Sequence, residues 1–125
     1  MDGILANLQR NRPSLGTLMW GGPHMVPFIA QGGFDFIVPD LMFGRMDWTE
    51  MSHMVDSAHA NKIACFPRLQ AYPWAESEYP DRRLVVDTAR AFSIGSDGVC
   101  MSVASAAEVR SVVQAQGDWH RMRAV

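Results

Sequence analysis

The sequence predicts an α/β fold in which four strand–helix units follow an entry helix. Three observations predict it. Short apolar runs alternate along the chain with longer segments whose apolar residues recur every three or four positions, the two periods that separate strands from amphipathic helices. Glycine and proline punctuate the junctions. Two of the helix-type segments also open on pairs with capping-box spacing, Asp47 with Glu50 and Ser105 with Glu108.

Taken in order, Gly3 to Arg10 forms the entry helix, with Ile4, Leu5 and Leu8 on one face and Pro13 limiting its continuation. LGTLMW, Leu15 to Trp20, reads as the first strand, and Gly21-Gly22-Pro23 as a tight crossover loop. Met25, Phe28 and Ile29 then share a helix face that Gly32-Gly33 ends. FDFIVPDL, Phe34 to Leu41, is the second strand, with Pro39 near its end because an internal proline is tolerated only there or at a bulge. After the Asp47 and Glu50 pair, Trp48, Met51, Val55 and Ala58 give the next helix its apolar face. IACFPR is the third strand, and Leu84, Val85, Thr88, Ala91 and Phe92 mark the helix behind it. GVCM is a short fourth strand, followed by a helix whose inner face would hold Val109, Val112 and Val113.

Such alternation favours a parallel sheet with right-handed crossovers. Four βα units amount to half of an eight-stranded (β/α) TIM barrel, and the alternative is a small flavodoxin-like parallel sheet. Residues 1–125 read as a single α/β domain, since their number suits one domain and is large enough to bury a core. The long excursion lies between Gln70 and Arg83, where aromatic, proline and acidic residues suit either a packed surface loop or a lid.

Composition excludes several classes. A hydrophobic fraction of 48% is spread along the chain and not gathered into a membrane-length run, so no membrane partner is expected. A net charge of -2, from 11 basic and 13 acidic residues, offers no electrostatic footprint for nucleic acid. Cys65 and Cys100 sit in apolar segments and lack CxxC spacing, which reads as two buried thiols rather than a disulfide framework or a redox pair. The start MDGILANLQRNRPS carries no sustained apolar signal segment, and the expected location is cytoplasmic.

LGTLMW, GGFDFIVPDLMFG, IACFPR and IGSDGVCMSVASAAEVR, in that order, resemble the first half of the HpcH/HpaI family of pyruvate-type class II aldolases. The resemblance implies a modified (β/α) barrel, an oligomer, and lyase chemistry that makes or breaks carbon–carbon bonds through a metal-bound pyruvate enolate. It places Asp40 at the acidic position ending the second strand. It places Arg68 where an arginine orients the pyruvate carboxylate, a task suited to a rigid donor fork. Both would lie at the C-terminal ends of strands, where βα loops converge. The competing readings are a structural salt bridge for Arg68 and a loop or helix-capping contact for Asp40.

The departures from the family pattern are specific. In its DxEHG motif the glutamate falls on Met42 and the histidine on Phe43, in the local sequence DLMFG, and the aspartate that supports that histidine aligns with Ser93. Neither apolar side chain can move a proton. The family's metal carboxylates lie on later strands, so a divalent metal such as Mg or Mn is implied by the resemblance alone and is assigned no ligand here, neither Glu108 nor Asp118. His53 and His59 lack HExxH spacing and read as surface or partly packed residues, and His24 as a helix-start contact.

The expected ligand is therefore a small 2-oxo acid or related carboxylate, bound by Arg68 beside Gly21, Gly22 and Phe43, with Asp40 as the second catalytic candidate positioning a polar group or water. Catalysis would then be aldolase-like or decarboxylating. The alternative is an inactive binding or assembly subunit that completes its fold with a second copy or a complementary chain, because open parallel-sheet edges invite pairing. The aromatic and basic residues Trp119, His120, Arg121 and Arg123 read as a short tail at the cut edge of a longer fold.

Overall fold

The computed structural model describes residues 2–69, 80–101 and 106–123. Helix α1 spans Asp2–Gln9, and strand β1 spans Gly16–Met19. A single 3-10 turn at Pro23–Met25 then leads into α2, Val26–Gln31. Strand β2 is Phe36–Pro39, α3 is Trp48–Ala60, β3 is Ala64–Cys65, α4 is Pro80–Ser93 and α5 is Ala106–Arg123.

The strands form one parallel sheet in the order β1-β2-β3, with Gly16 opposite Phe36 and Phe36 opposite Ala64. Single bridges continue it from Asp40 to Arg68 and from Arg68 to Cys100. Each crossover thus steps one place in the same direction, which is how a barrel winds. A flavodoxin-like sheet would put its first strand between the second and third, so the strand order excludes that alternative.

Capping and burial account for α3. The Asp47 carboxylate accepts from the Glu50 backbone N–H at 2.8 Å, satisfying one of the donors left over at a helix start. Met51, Met54, Val55 and Ala58 are buried along one face, as the apolar spacing requires, with Trp48 partly buried beside them. They pack with Met19, Val26, Ile37, Cys65, Leu69, Leu84, Ala91 and Val112 into one core between sheet and helices.

Several elements differ from the sequence reading. The third strand is shorter than IACFPR, and two prolines explain it. The carbonyl of Pro39 accepts from Arg68 N, so the donor that Pro39 lacks would have faced β3. Pro67 likewise faces Cys100, whose N–H its carbonyl accepts. Each proline deletes a ladder bond and confines regular pairing to the residues before it. The fourth strand contracts to the Cys100 bridge.

Helix α2 buries Val26, with Ile29 and Ala30 packed against the core, while Met25 and Phe28 are exposed. Val85 on α4 is exposed, and its inner face is Leu84, Thr88, Ala91 and Phe92. Helix α5 turns Val112 and Ala115 inward and leaves Val109 and Val113 in solvent. A spacing of three or four fits neighbouring stripes on one helix, and packing chooses between them. The expected basic tail is the end of α5, where the His120 ring rests 5.9 Å from that of Phe92 and Arg121 pairs with Asp118. Of the expected 70–83 excursion, residues 70–79 lie outside the described residues, and the chain is helical from Pro80 onward. Ser105 also lies outside them.

Successive strand residues face opposite ways. Met19, Ile37 and Cys65 enter the helix-side core, whereas Leu18, Trp20, Phe36, Phe66, Asp40 and Arg68 belong to the other face. Phe36 and Phe66 meet there edge to face, with centroids 5.5 Å apart. Gly16 lets the Phe36 ring lie across β1, because a Cβ at that position would come within 2.0 Å of the ring. No described helix covers this second face at Leu18 and Trp20, which are 54% and 69% exposed.

Candidate functional site

The two residues placed at strand ends do come together. Asp40 follows β2 directly, and the parallel register carries Arg68 alongside it on the neighbouring strand. Asp40 is fully buried, and its Oδ2 receives the Trp20 indole N–H at 2.9 Å and Arg68 Nη1 at 3.5 Å. Its Oδ1 receives the backbone N–H groups of Met42 at 2.8 Å and Phe43 at 3.2 Å. A buried carboxyl group needs such partners to offset its lost hydration. Four donors thus converge on one side chain and tie together the ends of β1, β2 and β3.

Both competing readings of these residues therefore have a geometric basis, since Asp40 caps its own loop and also pairs with Arg68. The Arg68 contact is the longest of the four, at the outer edge of hydrogen-bond range. Three other donors compete with Arg68 for the same carboxyl oxygens and make shorter bonds to them. A guanidinium carries five donors in a planar fork, of which this contact takes one. The Arg68 side chain is 19% exposed, so it is mostly but not fully covered.

Phe43 stands on the loop after β2, 58% exposed, and its ring centroid lies 5.2 Å from the Arg68 guanidinium carbon. That is a cation–π contact. The loop can turn so tightly because residue 44 is glycine: a Cβ there would approach the Asp40 carbonyl oxygen to 2.2 Å. Phe43 is thereby fixed by stacking on one side and by its own N–H on the other.

Gly21 and Gly22 follow Trp20 at the same end of the sheet. Gly22 is extended, with φ -77 and ψ 171, and opens the 3-10 turn. A Cβ on it would meet His24 Nδ1 at 3.1 Å and Glu50 Oε1 at 3.5 Å, so its small size keeps the loop close to α3. His24 is exposed on the turn. Trp20 is the site residue that the sequence reading missed. Its signal was legible, since Trp20 is the last residue before Gly21-Gly22 and shares a strand face with Leu18.

Ser93 does not approach this cluster. It ends α4 and its Oγ donates to the Arg90 carbonyl. Asp97, four residues on, donates its N–H to the carbonyl of Cys65, the last residue of β3. Arg68 lies three residues further along that strand, roughly 10 Å at strand rise. There Asp97 Oδ2 accepts from Cys65 N at 2.9 Å and lies 2.9 Å from His59 Nε2. Burial, with a smaller contribution from Asp97, pushes the Cys65 thiol well above its usual range and keeps it protonated.

A metal does not fit Asp40, whose oxygens are taken by four donors. Among the described residues no three His, Cys, Asp or Glu side chains gather as a metal site. His53 and His59 are both exposed on α3. No helix of the described residues is long and apolar enough to cross a membrane.

No family model and no curated protein matches the sequence. Solved structures do match the fold. An HpcH/HpaI aldolase from Desulfitobacterium hafniense DCB-2 superimposes with a TM-score of 0.70 at 20% identity, over 88% of this chain and 39% of that one. Citrate synthase SbnG gives 0.62 at 19% identity, over 79% and 36%. A type I 3-dehydroquinate dehydratase from Clostridium difficile gives 0.56 at 15% identity, over 91% and 50%. The chain has an aldolase-type fold and spans between about a third and a half of the length of these proteins.

Proposed function

We propose that this chain binds a small 2-oxo acid or related carboxylate where β1, β2 and β3 end, with Arg68 as the anion-binding group. The observation that carries the reading is the Arg68 guanidinium, beside buried Asp40 and the Phe43 ring at the strand ends of an aldolase-type sheet, on a side chain that keeps 19% of its surface exposed. Asp40 positions Arg68 and the loop. Gly21 and Gly22 allow close approach, and Phe43 dries one wall. An anion held by part of a planar donor fork in a partly desolvated site is bound more strongly than at an open surface. Neither Phe43 nor Met42 can take a proton, so binding is the function this cluster supports and lyase turnover would need a base from elsewhere. Calorimetric titration of pyruvate into the wild type and Arg68→Gln tests it. Binding lost in the variant is the expected result, and equal affinity would reject Arg68 as the anion site.

The assembly reading has its own supporting observation. β1 is bonded only to β2 among the described residues, and the face bearing Leu18 and Trp20 has no described helix over it. A second copy of this chain would supply another set of parallel strands to that edge and face. Native mass spectrometry at micromolar concentration should give a dimer that Leu18→Lys dissociates. A monomer in both would end this reading.

A further inference from the structure

Trp20 and Phe43 are the most exposed side chains of the cluster, at 69% and 58%, yet both are held in place. The Trp20 indole is tied to Asp40 by its N–H, and the Phe43 ring stacks on Arg68 while its backbone N–H bonds to the same carboxylate. Large aromatic surfaces that are open and already ordered lose little conformational freedom when a ligand covers them. Leu18, two residues before Trp20 on the same strand face, extends the apolar surface down the sheet. A pyruvate-sized ligand on Arg68 would leave most of this surface in water.

We infer that Trp20 and Phe43 make the site selective for carboxylates that carry a flat apolar group, an aryl 2-oxo acid in preference to a small aliphatic one. This rests on the carboxylate reading of Arg68 and adds the substituent. The anion fork fixes one end of the ligand, and the two aromatic side chains favour a ring at the other through stacking and edge contacts. Because Arg68 already lies over an aromatic face, a second ring brought beside it also gains from the cation.

Calorimetric titration of pyruvate and phenylpyruvate into the full chain, with Phe43→Ala and Trp20→Leu beside it, tests the inference. The wild type should bind phenylpyruvate roughly tenfold more tightly than pyruvate, and Phe43→Ala should reduce that ratio to about twofold. Far-UV circular dichroism identifies a variant that fails to fold, and Phe43, exposed on a loop, is the substitution the fold should tolerate. Equal affinities in the wild type, or a ratio unchanged in a folded Phe43→Ala, would overturn the selectivity while leaving Arg68 as a carboxylate site. If neither acid binds, the carboxylate reading falls and the selectivity falls with it.

Discussion

Asp40 is the residue on which the strand-end cluster depends, because Trp20, Met42, Phe43 and Arg68 all direct donors at it. Asp40→Ala strands those donors and leaves the Arg68 charge without its partner. A loss of about 3 kcal/mol in unfolding free energy is expected, measured by urea denaturation. Cys65 makes a prediction about pH. Its thiol is pushed up from an ordinary 9.0 by burial, so above that pH the unfolded chain releases a proton that the folded chain retains. Its contribution is complete below pH 9.0 and declines as pH rises past it. The urea midpoint should therefore fall less steeply above pH 9.0 in Cys65→Val than in the wild type. In the native protein at neutral pH a thiol reagent should modify half-buried Cys100 well before buried Cys65.

At the scale of elements, capping and burial separate cleanly in α3. Asp47→Ala removes the bond to Glu50 N and should cost about 1 kcal/mol. Met54→Ala empties a fully buried position and should cost roughly 2–5 kcal/mol. A Met54→Ala no worse than Asp47→Ala in the same urea series would mean that this core relaxes around the hole. The Asp47 cap and the order of the helices were legible because they depend on neighbours in sequence. The lengths of β3 and the fourth strand were not, because a ladder bond lost at Pro39 shortens a different strand. The inward stripes of α2 and α5 also escaped the sequence reading: Met25 and Phe28, or Val109 and Val113, satisfy helical spacing as well as Val26 or Val112 with Ala115 does, and only the packed sheet distinguishes them.

For the whole molecule, distance along the sheet governs what can be restored. Phe43 stacks on Arg68 past the ends of β2 and β3, whereas Ser93 ends α4 with its Oγ bonded to the Arg90 carbonyl, four residues before the Asp97 that meets Cys65. Phe43→His should leave pyruvate proton exchange at background, with or without manganese, and adding Ser93→Asp should change nothing, since a carboxylate there cannot orient the new imidazole. Exchange that appears only in the double variant would show that the two positions approach each other. The sequence by itself determined the α/β class, the order of elements, the cap of α3 and the placing of Asp40 and Arg68 at strand ends, all consequences of local periodicity and of residues that begin or end an element. Only the tertiary structure decided the β1-β2-β3 order, the convergence of four donors on Asp40 and the recruitment of Trp20. These depend on which strands lie side by side, and pairing between distant segments is set by the burial of a shared core rather than by the spacing within any one of them.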